Sequence, residues 1–113
     1  MALKEAVGAA EQGEVPVGAV VVDTLSGEVL SGAGNRTLAY NDPTAHAEII
    51  AIRKATTKLG TPRLENCDLY VTLEPCPMCA SAISFARVRR LYFGAYDPKG
   101  GGIDHGPRVF EHS

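Results

Sequence analysis

Apolar and polar positions along the chain follow two periods. Leu3, Ala6, Val7 and Ala10 recur at helical spacing while Lys4, Glu5 and Glu11 fall elsewhere, which predicts a short covering helix over 2–11, ended by Gly13. "VGAVVVD" (17–23) and "GEVLSGAG" (27–34) read as two strands joined by turn residues around Ser26 and Gly27, a hairpin. Ala45, Ile49, Ile52, Ala55 and Leu59 then form a 3.6-residue stripe with Arg53, Lys54 and Lys58 off it. "DPT" at 42–44 supplies start signals that place His46 in the first turn, and "GTP" at 60–62 supplies cap and stop. "DLYVTL" (68–73), "CPMCASAISFA" (76–86) and "RRLYFGAY" (89–96) follow as strand, helix and strand. Such a βαβ unit requires a right-handed crossover and parallel strands, so the sheet is mixed and the fold class is α/β. The tail opens with a proline and three glycines, a flexible loop, and "RVF" (108–110) reads as a short last strand.

Composition narrows the class. The 113 residues, 45% hydrophobic and 21% charged, suit a single domain over 1–113 with one core. The longest nearly apolar run, "VPVGAVVV" at 15–22, is far short of a membrane span, and the N-terminus has no signal-peptide core, so no membrane association and a cytoplasmic location are expected. A net charge of −2 gives no general attraction to nucleic acid, and "RVRR" at 87–90 reads as a solvated charged edge. Three cysteines, an odd number, argue against a disulfide framework and for metal binding, catalysis or burial.

The candidate chemistry lies at two predicted helix starts. In "AHAEII" (45–50), His46 and Glu48 are two apart, a spacing that separates side chains within a helix but lets both serve one site at a helix end. In "EPCPMC" (74–79), Cys76 and Cys79 put two sulfurs on one face of a helix N-terminus, with Pro77 suited to the first turn. Partial positive charge there favours the thiolates that zinc requires. His46, Cys76 and Cys79 make three ligands of the type zinc prefers, and a fourth position left open marks a catalytic ion that acidifies water. Glu48 is the acid placed to move protons beside it. A structural zinc closed by Cys67 or His105 is the alternative, and a redox CxxC another. Taken alone, Cys67 reads as a small buried hydrophobe, His105 and His112 as solvated, and Asn35 as a turn residue.

"HAE" followed by "PCPMC", with "EVPVGAVVV", "GNR", "DPTAHAEI" and "LYVTLEPCPMCASAI", resembles the zinc-dependent nucleoside and nucleobase deaminases over nearly the whole chain, in particular the bacterial tRNA adenosine deaminase branch. The resemblance implies a cytidine deaminase-like three-layer α/β/α fold with a mixed central sheet, and one zinc per chain held by His46, Cys76 and Cys79. It implies hydrolysis of adenosine to inosine at the tRNA wobble position, with Glu48 protonating N1 and helping ammonia leave. Asn35 in "GNR" would hydrogen-bond the ring, the backbone of Ala47 and Pro75 would line the pocket, and Asp97 in "GAYD" would lie near the nucleotide. The partners implied are a tRNA anticodon loop, or other single-stranded nucleic acid, and a second copy of the chain. The apolar or small Met78, Ala80, Ala82, Ile83, Phe85 and Ala86, which nearly encircle one helix, agree with a homodimer. Members of that branch usually continue into a further C-terminal helix, which is expected to be missing here. Two other readings stay open: a deaminase of free guanine, cytosine or cytidine, and a non-catalytic zinc-stabilised module.

Overall fold

The computed structural model describes residues 1–103 together with Arg108 and Phe110. Helix α1 (Ala2–Glu11) precedes strands β1 (Gly18–Asp23) and β2 (Val29–Gly34), then come α2 (Ala47–Leu59), β3 (Cys67–Val71), α3 (Pro77–Phe85) and β4 (Arg90–Phe93). The strands form one sheet in the order β2-β1-β3-β4. β1 runs antiparallel to both β2 and β3, whereas β3 and β4 pair in parallel, as the βαβ pattern requires. The elements are those expected, most of them shorter by one to a few residues at the ends. The strand expected over 108–110 rests partly on a residue outside the described ones; Arg108 is irregular and Phe110 helical. His105 and His112 also lie outside the described residues.

The two faces of the sheet are packed differently. Ala19 and Val21 of β1, Ala33 of β2 and Leu69 and Val71 of β3 point into the main core, where they meet Ala47, Ile50, Ala51 and Ala55 of α2 and Ile83 of α3. Each fully buried Val or Leu there contributes about 1.5–3 kcal/mol. The Ser31 hydroxyl spends its proton on the Ala51 carbonyl, 2.8 Å away, and so joins this face to α2. On the opposite face α1 lies over Gly18, Gly32 and Gly34. Three layers result, α1 on one side and α2 with α3 on the other, the expected α/β/α arrangement.

Two helical faces differ from the sequence expectation. In α1 the buried residues are Ala6 and Ala9, while Leu3 is 69% and Val7 52% exposed. The cause is the glycine surface beneath: a Cβ on Gly34 would stand 2.7 Å from the Glu5 carbonyl oxygen and 3.0 Å from the Ala9 Cβ, so the helix sits too close for large side chains. In α2 the buried set is Ala47, Glu48, Ile50, Ala51 and Ala55, rotated from the predicted stripe, and Leu59 is exposed. Packing against both the sheet and α3 selects the small residues. Gly60, at φ 70, closes α2 in the left-handed conformation expected of a C-terminal glycine.

Gly34→Ala should therefore push α1 off the sheet and lower stability by about 1–3 kcal/mol, whereas the exposed Leu3→Ala should change it by less than about 0.5 kcal/mol, both read from urea unfolding. Equal effects would contradict the close packing of α1.

Candidate metal centre

His46 and Cys76 are the N-cap residues of α2 and α3, both in extended backbone (φ −73, ψ 153 and φ −69, ψ 169). His46 thus stands one residue before the helix rather than within its first turn. The expected start signal at 42–44 forms a separate turn instead, in which the Asp42 carboxylate accepts the Thr44 amide and hydroxyl at 2.8 and 2.7 Å. The His46 side chain does not bond its own helix, and the Cys76 sulfur turns toward Cys79 in the first turn of α3. Pro77 occupies the first turn of α3, where its missing N–H costs nothing, and Cys79 follows in the same turn.

These positions converge. His46 Nδ1 lies 3.6 Å from Cys76 Sγ and 3.4 Å from Cys79 Sγ, and the three donor atoms all lie within 4.8 Å of one another. Tetrahedral zinc bonded at its usual lengths separates a nitrogen from a sulfur by about 3.5 Å, so the donor set and its spacing fit that ion. Among the described residues no fourth histidine, cysteine or acid joins the cluster. Cys67, considered as a structural ligand, is in the apolar core instead.

The protonation of the site follows its geometry. The Cys76 thiol is lowered to about 5, chiefly because Cys79 donates a hydrogen bond to its thiolate, with His46 adding a smaller effect. Cys79 is pushed up, first as that donor and then by burial and by Glu48. Burial likewise pushes the Glu48 carboxyl up; its own backbone N–H opposes the rise and the neighbouring Cys76 adds to it. A carboxyl poised to hold a proton beside a metal centre has the character of a proton carrier.

Glu48, 4% exposed, opens onto a cavity of about 230 Å³. His46, Cys76, Asn35, Thr37, Glu74 and Asp97 share its polar wall, and Val15, Val17 and Leu73 make an apolar one. Of the residues singled out in the sequence, Asn35, His46, Glu48, Cys76 and Asp97 are thus brought to one cavity. Cys79 is buried behind it within reach of His46, and Ala47 and Pro75 are buried alongside, outside the lining.

Two further acids escaped the sequence reading. Glu14, 6% exposed, accepts the backbone N–H groups of Leu38 and Ala39 at 3.1 and 2.9 Å and lies 3.5 Å from the Asn35 side-chain nitrogen, which also donates to Thr37 Oγ1 at 3.2 Å. Glu74, 2% exposed, accepts the N–H groups of Asp97 and Ile103, both at 3.1 Å. Each is a lone carboxylate flanked by apolar residues and followed closely by proline, in "EVPVG" and "LEPC", and that isolation was the available signal.

Comparison with known proteins agrees with this geometry. A profile described as the cytidine and deoxycytidylate deaminase zinc-binding region matches residues 1–95. The chain is 61% identical over 110 residues to the tRNA-specific adenosine deaminase of Agrobacterium fabrum, covering 97% of this chain and 71% of that protein. It superposes with a TM-score of 0.94, at 60% identity, on a chain solved in a study of A-to-I editing by tRNA:A34 deaminases at the wobble position of transfer RNA; the match covers 97% of this chain and 78% of the other. A guanine deaminase from Bacillus subtilis superposes with a TM-score of 0.80 at 42% identity, over 84% of this chain and 60% of its own.

Cys79→Ala should abolish zinc retention, measured by elemental analysis after dialysis, because removing one of three donors undoes the site. A pH-dependent test addresses Glu48. A carboxyl whose folded pKa lies above its unfolded value binds its proton more tightly in the folded chain, so stability falls as pH rises from the unfolded value through the raised one. Metal-free Glu48→Gln should therefore be more stable to urea than the metal-free parent by a margin that opens across that window and closes in acid; a margin flat with pH would contradict burial as the cause.

Proposed function

The chain belongs to the cytidine and deoxycytidylate deaminase zinc-binding family, and from that membership we propose that it hydrolyses adenosine to inosine at the wobble position of tRNA. The observation that carries this reading is the three-donor site with no fourth protein donor among the described residues, facing a cavity into which a buried carboxyl also opens. A closed structural site has no use for either feature. The identity to tRNA-specific adenosine deaminases over nearly the full chain supports adenosine in tRNA as the substrate.

His46, Cys76 and Cys79 hold the zinc ion in this reading. Zinc held by these three residues would acidify water and so supply the nucleophile for hydrolysis. Glu48 would give a proton to N1 of adenine, which makes C6 electrophilic, regain one from the attacking water, pass it to the departing amine and be reset by the proton of the hydroxyl formed at C6, so that water and adenosine yield inosine and ammonia. Asn35 hydrogen-bonds the ring, and a base that left its buried amide unpaired would lose about 1–3 kcal/mol. Asp97 stands at the nucleotide side, with the Ala47 and Pro75 backbone close by. A target base in an anticodon loop can be splayed out into a cavity of this kind.

Residues 1–113 act as one deaminase domain, and a tRNA substrate puts the reaction in the cytoplasm. No helix among the described residues is long and apolar enough to cross a membrane. A homodimer is the assembly we propose, because Phe85 at the end of α3 is 81% exposed and Met78 and Ala82 remain half-buried on the same helix. A second copy laid on α3 covers them.

The zinc-loaded chain should produce inosine in an anticodon stem-loop carrying adenosine at the wobble position and leave free adenosine, guanine and cytidine unchanged, with products read by mass. Product from a free base alone would transfer the assignment to the guanine deaminase type. Glu48→Ala should lower kcat by about 10²–10⁴-fold with zinc content unchanged, since the acid is proposed to move protons without holding the ion. In sedimentation, Phe85→Glu should shift the chain to monomer; an unshifted profile would remove α3 from the interface.

A further inference from the structure

The three consecutive glycines 100–102 read as a flexible loop in the sequence, yet Gly101 and Gly102 are buried. A Cβ on Gly101 would collide with the Glu74 carboxylate and stand 2.6 Å from the Asp97 carbonyl oxygen. One on Gly102 would stand 2.7 Å from Pro77 Cα and 3.0 Å from the Cys76 carbonyl carbon. The segment is therefore laid directly on the turn that carries Cys76. Its backbone is tied down on both sides: Gly102 N–H donates to the Pro75 carbonyl at 2.8 Å, and Gly101 N–H to the Asp97 carbonyl at 2.8 Å. Between these lies the Glu74 carboxylate, whose two oxygens separately accept Asp97 N–H and Ile103 N–H, the two ends of the segment. The Glu74 amide, in turn, donates to Ala95 at 2.8 Å.

We propose that Glu74 is a positioning residue that clamps residues 97–103 as a strap over the first turn of α3, fixing Asp97 at the cavity and shielding the metal-bearing turn. The substrate side of this inference rests on the deaminase reading above; the clamp itself does not. Glu74 also borders the cavity, but each of its carboxylate oxygens accepts a backbone N–H of the strap. It acts by taking both ends of the strap with one rigid group, which places the Asp97 backbone and hence the wall a nucleotide meets. The glycines serve close approach here rather than mobility, since any side chain at 101 or 102 would lift the strap from the turn beneath. Gln at position 74 keeps the size but turns an N–H₂ toward one of the two backbone donors, so one end of the strap is released.

The test uses the zinc-loaded full chain and Glu74→Gln, with Gly101→Ala as a second variant that keeps the carboxylate and drives the strap off it. Backbone hydrogen exchange at Asp97 and Ile103 should speed up by about tenfold in both variants, the cost of one lost hydrogen bond. Zinc content should stay at the parent level while zinc passes faster to a competing chelator. With the wobble stem-loop, KM should rise by about tenfold and kcat change by less than about threefold, the pattern of a lost binding surface. Unchanged exchange in Glu74→Gln would overturn the clamp. Faster exchange with an unchanged KM and an unchanged rate of zinc loss would overturn its link to the site. A parent chain inactive on the stem-loop would sink the tRNA reading alone, because exchange and zinc transfer would still decide the clamp.

Discussion

One directional constraint organises the molecule: β2, β3 and β4 all point the same way. β1 runs antiparallel to β2 and to β3, and β4 is parallel to β3, so the three strands end at one edge of the sheet. The chain that follows β2 leads to His46, the chain that follows β3 leads to Cys76, and the chain that follows β4 leads to Asp97 and the strap. The segment entering β1, which carries Glu14, Val15 and Val17, starts from that edge too. Every residue of the cavity is thereby accounted for by strand direction, the arrangement in which open α/β sheets bind ligands beyond the carboxyl ends of their strands. Two helix N-termini meeting at this edge bring unpaired N–H groups and partial positive charge together, which would be unfavourable without anionic partners. Thiolate sulfur, a carboxylate and a cation-binding imidazole at those positions turn the conflict into a site.

Three buried glutamates divide the work around it by what satisfies them. Glu14 and Glu74 each accept two backbone N–H groups from a loop that walls the cavity. Their charge is spent on holding backbone. Glu48 draws on its own backbone N–H, but burial outweighs that bond and its proton is held more tightly than usual. The same side chain, equally buried, is thus a staple where two donors converge on it and a group that keeps its proton where burial dominates, as the proposed role of Glu48 requires. Sequence position alone does not distinguish these cases, because all three acids sit among apolar neighbours.

That limit explains what was and was not legible. The hairpin, the βαβ unit, the start of α3 and the cluster of His46, Cys76 and Cys79 follow from spacing, because turn residues, proline at a first helical position and CxxC each impose local geometry, whereas the start signal at 42–44 forms a separate turn before α2. Which face of α1 and α2 is buried did not follow. Leu3 and Leu59 are more hydrophobic than Ala6 and Ala51, yet the alanines are inside, since glycines on one side and a two-sided contact on the other leave no room for larger groups. The strap failed for the same reason: three glycines imply freedom when read locally, and only the Glu74 carboxylate, more than twenty residues earlier, shows that they imply contact. Periodicity reports hydrophobicity, whereas these positions are set by distance between backbones.

The division between scaffold and wall also bears on how far likeness carries function. The zinc-fitting donors and Glu48 lie on α2 and α3, whose positions are fixed by the main core, and a guanine deaminase superposes on the same framework. In the proposed reading the reaction type would therefore belong to the rigid part. In the function proposed above, substrate choice would belong to segments 35–39 and 97–103, which lie outside the core cluster and are held by hydrogen bonds that include those to the buried Glu14 and Glu74 carboxylates. On that proposal a change in either loop would alter which base is accepted while the three donors and Glu48 stay where they are, and fold alone does not decide between an adenosine in RNA and a free purine. The 61% identity over 110 residues to a tRNA-specific adenosine deaminase, a span that includes most of both loops, is what supports the step from reaction type to the proposed substrate.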